Sequence, residues 1–156
     1  MLPRDVVETT ETRDDGDVSG QPSRHYNPER NVVIVEGWEL PFCTIPVLFE
    51  EENAEFLDIE SWVILEETAE AIHEVLKAHL DAVFEIEGHT RTGGADESNL
   101  TLSAERAQRV HQELTKRYLI PTSALSAHGY GDKYSSDPDG TEEQMMDQRL
   151  LVVRAK

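Results

Sequence analysis

The most restrictive pattern in the chain lies between Ala82 and Tyr118: a short apolar run, a glycine-bearing polar stretch reading GHTRTGGADESN, and a periodic apolar series. Val83, Phe84 and Ile86 alternate imperfectly with Glu85 and Glu87, which predicts a strand over 82–87 that meets its loop at Gly88. Beyond the polar stretch, Leu102, Val110, Leu114 and Tyr118 recur at steps of four or eight with Ala107 between. This spacing predicts an amphipathic helix opening near Ser103 and stopping before Pro121. The polar loop therefore sits at the C-terminal end of a strand.

The rest of the chain supplies the partners such a unit needs. Residues 31–35, Asn-Val-Val-Ile-Val, and 44–49, TIPVLF, are rich in β-branched and apolar side chains and predict two strands. From 59 to 80, Ile59, Val63, Leu65, Ile72, Val75, Leu76 and Leu80 fall mostly three, four or seven apart, the mark of a helix with one buried face. Asp58 or Ser61 is placed to cap its start. LSAHGYG at 125–131 predicts a short strand entering a glycine turn, RLLVV at 149–153 a buried closing strand, and SSDPDGTEE between them a surface loop. The resulting order, β-α-β-α-β-β, predicts an α/β (α+β) two-layer sandwich, a small mixed sheet with two main helices on one face.

A chain of 156 residues has room for one core of ordinary size and an arm. Residues 1–30 hold few large apolar side chains, too few to offset the entropy of ordering them, and predict a flexible acidic linker. The domain is then expected over 31–156, with 31–43 as an extra N-terminal strand. The 32 acidic and 14 basic side chains give a net charge of −18, which repels phosphate backbones and anionic bilayers and excludes nucleic acid as a partner. Cys43 stands alone, so no internal disulfide forms, and its neighbours Phe42 and Ile45 predict a buried thiol. No stretch approaches the roughly 18 apolar residues of a membrane span. Residues 1–30 also lack the apolar centre of a secretion signal, so an exported protein would carry its leader or anchor ahead of residue 1.

The polar stretch itself suits a small polar ligand. Gly88, Gly93 and Gly94 permit positive φ and close approach, while Thr90, Thr92 and Asn99 bring short polar groups to a strand end. Arg106, one turn into the predicted helix, is placed to fold back over the helix start and grip a carboxylate through two parallel hydrogen bonds, aided by the first free amides. On the helix over 59–80, Glu70 and His73 have the spacing of a carboxylate-bridged metal site, but no second such pair accompanies them. His89 has no nucleophilic partner at a plausible spacing, and DPDG at 137–140 lacks the other ligands of a calcium loop. No catalytic residue, metal site or cofactor is therefore expected, and Trp38 and Trp62 are expected to pack.

EIEGHT, followed by Asn99, Leu102, Ser103, Arg106 and Ala107 in the spacing N..LS..RA, resembles the OmpA-like C-terminal, peptidoglycan-binding domain family. VLFEEENAEF at 47–56, LSAHGYGDKYS and MDQRLLV are similar to other stretches of that family, so the resemblance spans roughly residues 44–154. It implies non-catalytic binding of the diaminopimelate of a peptidoglycan stem peptide. It further implies a periplasmic place tethered to a bacterial membrane, with other envelope proteins as further partners. The membrane would be reached only through a segment outside this sequence. The implied ligand residues are Arg106, toward the carboxylate, with Asn99, Thr90, Leu102, Arg149 and His89, the last as a loop-shaping residue.

Two positions depart from the family pattern. The aspartate that ends GHTD and pairs with the ligand's ammonium is here Arg91. Losing a charge-assisted pair forfeits about 1.5 to 3 kcal/mol, and a like charge at about 4 Å opposes binding by roughly 4 kcal/mol at an effective dielectric of 20. Three outcomes follow. Arg91 swings toward Asp96 or Glu97, one of which takes the ammonium; or a pocket with Arg91 and Arg106 takes a ligand with two carboxylates; or the domain is a degenerate one that has lost the wall and serves as a structural or protein-interaction module. At the closing strand, Asp147, Gln148 and Arg149 stand where NRR is usual. Asp147 reads as a structural neutraliser of a neighbouring arginine, ahead of a role toward a ligand amine.

Overall fold

The computed structural model describes residues 24–50, 53–90, 96–133 and 149–156. The chain divides after Phe42 into two compact units. In the first, β1 (Arg24–Asn27), β2 (Val32–Val35) and the start of β3 (Trp38–Ile45) pair antiparallel, with Val35 facing both Arg24 and Trp38. Glu36 and Gly37 join β2 to β3 with φ of 52° and 86°, the doubly left-handed two-residue turn that matches the twist of antiparallel neighbours. Tyr26 meets Phe42 edge-on at 6.2 Å.

Four expectations are corrected along residues 24–49. Strand β1 falls inside the stretch expected to be a flexible linker, while residues 1–23 lie outside the described ones. The strand expected over 44–49 is instead β3, which ends at Ile45. Pro46 has no amide to continue a ladder, and beyond it Phe49 makes one isolated bridge to Phe56. Cys43 is exposed rather than buried. Neighbours along an extended strand point to opposite sides, so the burial of Phe42 carries no information about Cys43. Trp38 is exposed as well.

The second unit, from Cys43 onward, reads β-α-β-α-β-β from the end of β3, as expected: α1 (Ile59–Ala78), β4 (Phe84–His89), α2 (Asp96–Gln112), β5 (Leu125–Gly129) and β6 (Arg149–Arg154). Strand β4 is central, parallel to β5 and antiparallel to β6. It starts and ends two residues later than expected. Phe84 and Ile86 of β4, Leu125 of β5 and Leu150 of β6 share one core with Leu65, Ala69 and Ile72 of α1 and Ala107 and Val110 of α2. Both helices thus cover the same face of the mixed sheet, the two-layer arrangement expected.

Asp58 caps α1, its side chain accepting from the Ser61 amide at 3.0 Å. The buried stripe of α1 is Ser61, Leu65, Ala69 and Ile72, whereas Ile59, Val63 and Leu80 are exposed. The buried face is displaced from the expected one because the small side chains of Ser61 and Ala69, which no series of large apolar residues contains, lie on it. Helix α2 begins at Asp96, not near Ser103, with Asp96 and Glu97 in its first turn, where acidic side chains complement the helix dipole. It continues through a π-helical turn, Glu113–Arg117, and stops at Leu119, whose φ is 63°, before Pro121. The surface loop expected over 135–143 lies outside the described residues.

Candidate functional site

Helix α2 lies unusually close to the ends of β4 and β5. A methyl group on Gly88 would stand 2.2 Å from the Ser103 carbonyl oxygen, and one on Gly129 would stand 2.3 Å from the Ala104 nitrogen. Only glycine lets the backbones approach this far. Ser103 is fully buried at the contact; its hydroxyl accepts from the Gly131 amide at 2.8 Å and donates to the Leu100 carbonyl at 2.9 Å. Thr90 closes the corner, donating from its amide to Gly131 O at 3.0 Å and from its hydroxyl to Asn99 O at 2.7 Å. Much of the N..LS..RA pattern therefore encodes close helix-to-sheet packing.

The early start of α2 changes the reading of Arg106. It lies ten residues past Asp96, in the third turn, too far for the first amides of the helix to share its ligand. Its guanidinium is buried and reaches away from α2 to the segment after β3. Nε donates to Asn53 O at 3.0 Å, Nη2 donates to Glu50 O at 2.9 Å, and the group lies over the Phe49 ring at 5.0 Å. Desolvation by burial lowers its pKa from the ordinary arginine value, yet an arginine remains charged at any working pH. These two bonds set the direction of the guanidinium.

Arg106, His89, Thr90 and Arg149 border one small cavity of about 10 Å³, together with Val47, Phe49, Gly88, Ser103 and Leu150. That is the room of about one water molecule. His89 is buried, stacked on Tyr130 at 5.5 Å, with Nε2 3.4 Å from Glu87 Oε1. Arg149 sits across from His89 in the β4–β6 register. Asn99 is buried one layer behind the cavity, accepting from Thr90, and Leu102 is half-buried away from it. Arg91 lies outside the described residues, as do Asp147 and Gln148.

The segment that holds Arg106 was not expected to form part of the site's wall. Leu48–Glu50 and Asn53–Leu57 run antiparallel: Glu50 N donates to Glu55 O at 2.8 Å, Leu57 N to Leu48 O at 2.9 Å, and Phe49 stacks on Phe56 at 5.1 Å. The two phenylalanines, seven residues apart around a polar stretch, were the available signal. Of the metal-like pair on α1, His73 is engaged by its Nε2 with Tyr118 O at 2.7 Å. Among the described residues no cluster of three His, Cys, Asp or Glu side chains could hold a metal ion, and no helix is long and apolar enough to cross a membrane.

Fold and site together define a two-layer α/β domain with a small cavity, bordered by Arg106 and Arg149, at the end of its central strand. The OmpA family model matches residues 48–149, and the chain belongs to that family. Solved structures of similar fold include the periplasmic domain of Helicobacter pylori MotB (TM-score 0.59, 19% identity, covering 76% of this chain and 82% of that one). The cell wall anchor of the T6SS from Pseudomonas aeruginosa superposes with a TM-score of 0.56 at 19% identity, covering 81% and 89%. The peptidoglycan-associated lipoprotein from Burkholderia pseudomallei gives 0.51 at 20% identity, covering 71% and 87%. No curated protein matches the chain in sequence.

Proposed function

We propose that this domain binds the stem peptide of peptidoglycan without catalysis, through its diaminopimelate, and so anchors a periplasmic, membrane-tethered envelope protein to the cell wall. The observation that carries this reading is the place of the Arg106 guanidinium, buried at the wall of the cavity and aimed there by the Asn53 and Glu50 carbonyls. Membership of the OmpA family supports it, as do fold neighbours described as a cell wall anchor and as a peptidoglycan-associated lipoprotein. The charged ligand carboxylate meets Arg106 as a charge-assisted pair, with Thr90 and His89 shaping the strand end beside it. Because the cavity has room for about one water, the ligand enters as the Leu48–Leu57 segment shifts outward.

Retention on purified sacculi tests this. The wild-type chain is expected to co-sediment and Arg106→Ala to remain in the supernatant, with circular dichroism confirming that the variant is folded; equal retention of the two removes the reading.

A second reading is favoured by the fact that Nε and Nη2 of Arg106, the edge best shaped for a carboxylate, already serve the protein's own main chain. With Arg91 in place of the usual aspartate, the domain would then be a degenerate member that serves as a structural or protein-interaction module. Under this reading wild type shows no diaminopimelate binding by calorimetry, and Arg91→Asp creates it.

A further inference from the structure

Three residues after Arg106, on the same side of α2, a second arginine grips the same segment. Arg109 Nη1 donates to Ala54 O at 3.2 Å and to Glu55 Oε1 at 3.3 Å, and its guanidinium lies over the Phe56 ring at 4.8 Å. Nε donates to Glu113 Oε2 at 3.2 Å, one turn further along. Phe56 in turn meets Trp62 of α1 edge-on at 4.9 Å, and Arg109 lies 5.9 Å from that ring. The side chain is 22% exposed, so its contacts lie where water screens them less than at an open surface.

Nothing in the binding reading assigns Arg109 a role, yet its acceptors adjoin those of Arg106 in sequence. Ala54 follows Asn53 directly, and Phe56 is bridged and stacked to Phe49, the ring beneath Arg106. A shift of the Asn53–Leu57 stretch that released Arg109 would carry the Asn53 carbonyl away from Arg106 Nε. A planar guanidinium that bonds a carbonyl at its edge and stacks on an aromatic face fixes both direction and height of the stretch it holds.

We propose that Arg109 is a positioning residue for the candidate site: it sets the Asn53–Leu57 stretch against α2, and through that stretch the direction in which Arg106 points. Arg109 touches no ligand. Its part in affinity rests on the peptidoglycan reading; its part in holding the stretch does not.

The test compares the full chain with Arg109→Gln, which keeps a donor and removes the charge and the planar fork, and with Arg117→Gln. Arg117 also stacks on Trp62, at 4.7 Å, and bonds Glu113 at 3.0 Å, but no main-chain carbonyl of the segment accepts from it among the described contacts. Amide hydrogen exchange at Glu50 and Leu57, whose amides tie the segment together, is expected to accelerate about tenfold in Arg109→Gln. Core amides of β4 are expected to hold their wild-type rates, and Arg117→Gln to leave both sets unchanged. Calorimetric titration with free diaminopimelate is expected to give about tenfold weaker binding for Arg109→Gln.

Wild-type exchange at Glu50 and Leu57 in Arg109→Gln, or equal acceleration of segment and core amides, overturns the proposal. If wild type itself binds no diaminopimelate, the binding reading fails, and the exchange result still decides the role of Arg109.

Discussion

The two walls of the cleft are built on different physics. On one side, α2 presses on β4 and β5 at Gly88, Gly129 and Ser103, where backbones meet with no room for a side chain. On the other, the Leu48–Leu57 segment is held by long side chains: Arg106 and Arg109 reaching its carbonyls, and rings stacking beneath their guanidinium groups. The first wall is fixed by excluded volume, which rises steeply with any displacement. The second is fixed by hydrogen bonds and cation–π contacts, each of modest strength. Under the proposed binding role, the first is the rigid wall and the second the yielding one.

The comparison breaks most readily at the rigid wall. Gly88→Ala drives a methyl group into the Ser103 carbonyl, and main chain on both sides leaves nothing flexible to move aside. The expected loss is more than about 3 kcal/mol by chemical denaturation; a loss below about 1 kcal/mol would show that this contact has slack. Ser103→Ala asks less. The methyl fits, but the buried Gly131 amide loses its acceptor, so about 2 kcal/mol is expected, measured the same way.

The same contrast explains what the sequence discloses. Gly88, Ser103 and Ala107 stand at fixed spacings because close packing tolerates nothing larger, so the rigid wall leaves a pattern that local reading detects. The α1–β4–α2 framework and the closing strand β6 were legible for a similar reason, since periodic burial is written into consecutive residues. The start of α2 was not. Two glycines at 93 and 94 and the polar run to Asn99 suggested loop, although Asp96 and Glu97 are the residues a helix N-terminus favours. The grip of Arg106 was illegible in principle, because its acceptors are carbonyls, which every residue has, in a segment more than fifty positions earlier. Local spacing placed a cation near the site and could not say what it held.

At the yielding wall the expected effects shrink. Ser61, buried on α1, accepts from the Leu48 amide at 2.9 Å and donates to Asp58 Oδ1 at 3.0 Å. Ser61→Ala leaves the backbone cap on Asp58 intact and takes one acceptor from the segment's first stretch. About 1 kcal/mol is expected in thermal or chemical unfolding, with faster exchange at Leu48 as the local signature.

The smallest effect belongs to the outermost side chain of the same stack. Arg117 lies over Trp62 and pairs with Glu113, but its side chain is 56% exposed. In that setting water competes for the guanidinium, and an exposed pair of this spacing contributes about 0.3 to 0.5 kcal/mol. Arg117→Gln is therefore expected to change the unfolding free energy by less than about 0.5 kcal/mol. A loss near that of Ser103→Ala would mean that the stack acts cooperatively from Phe49 out to Arg117. The yielding wall would then be as firmly fixed as the rigid one, and a ligand could not enter by displacing the Leu48–Leu57 segment.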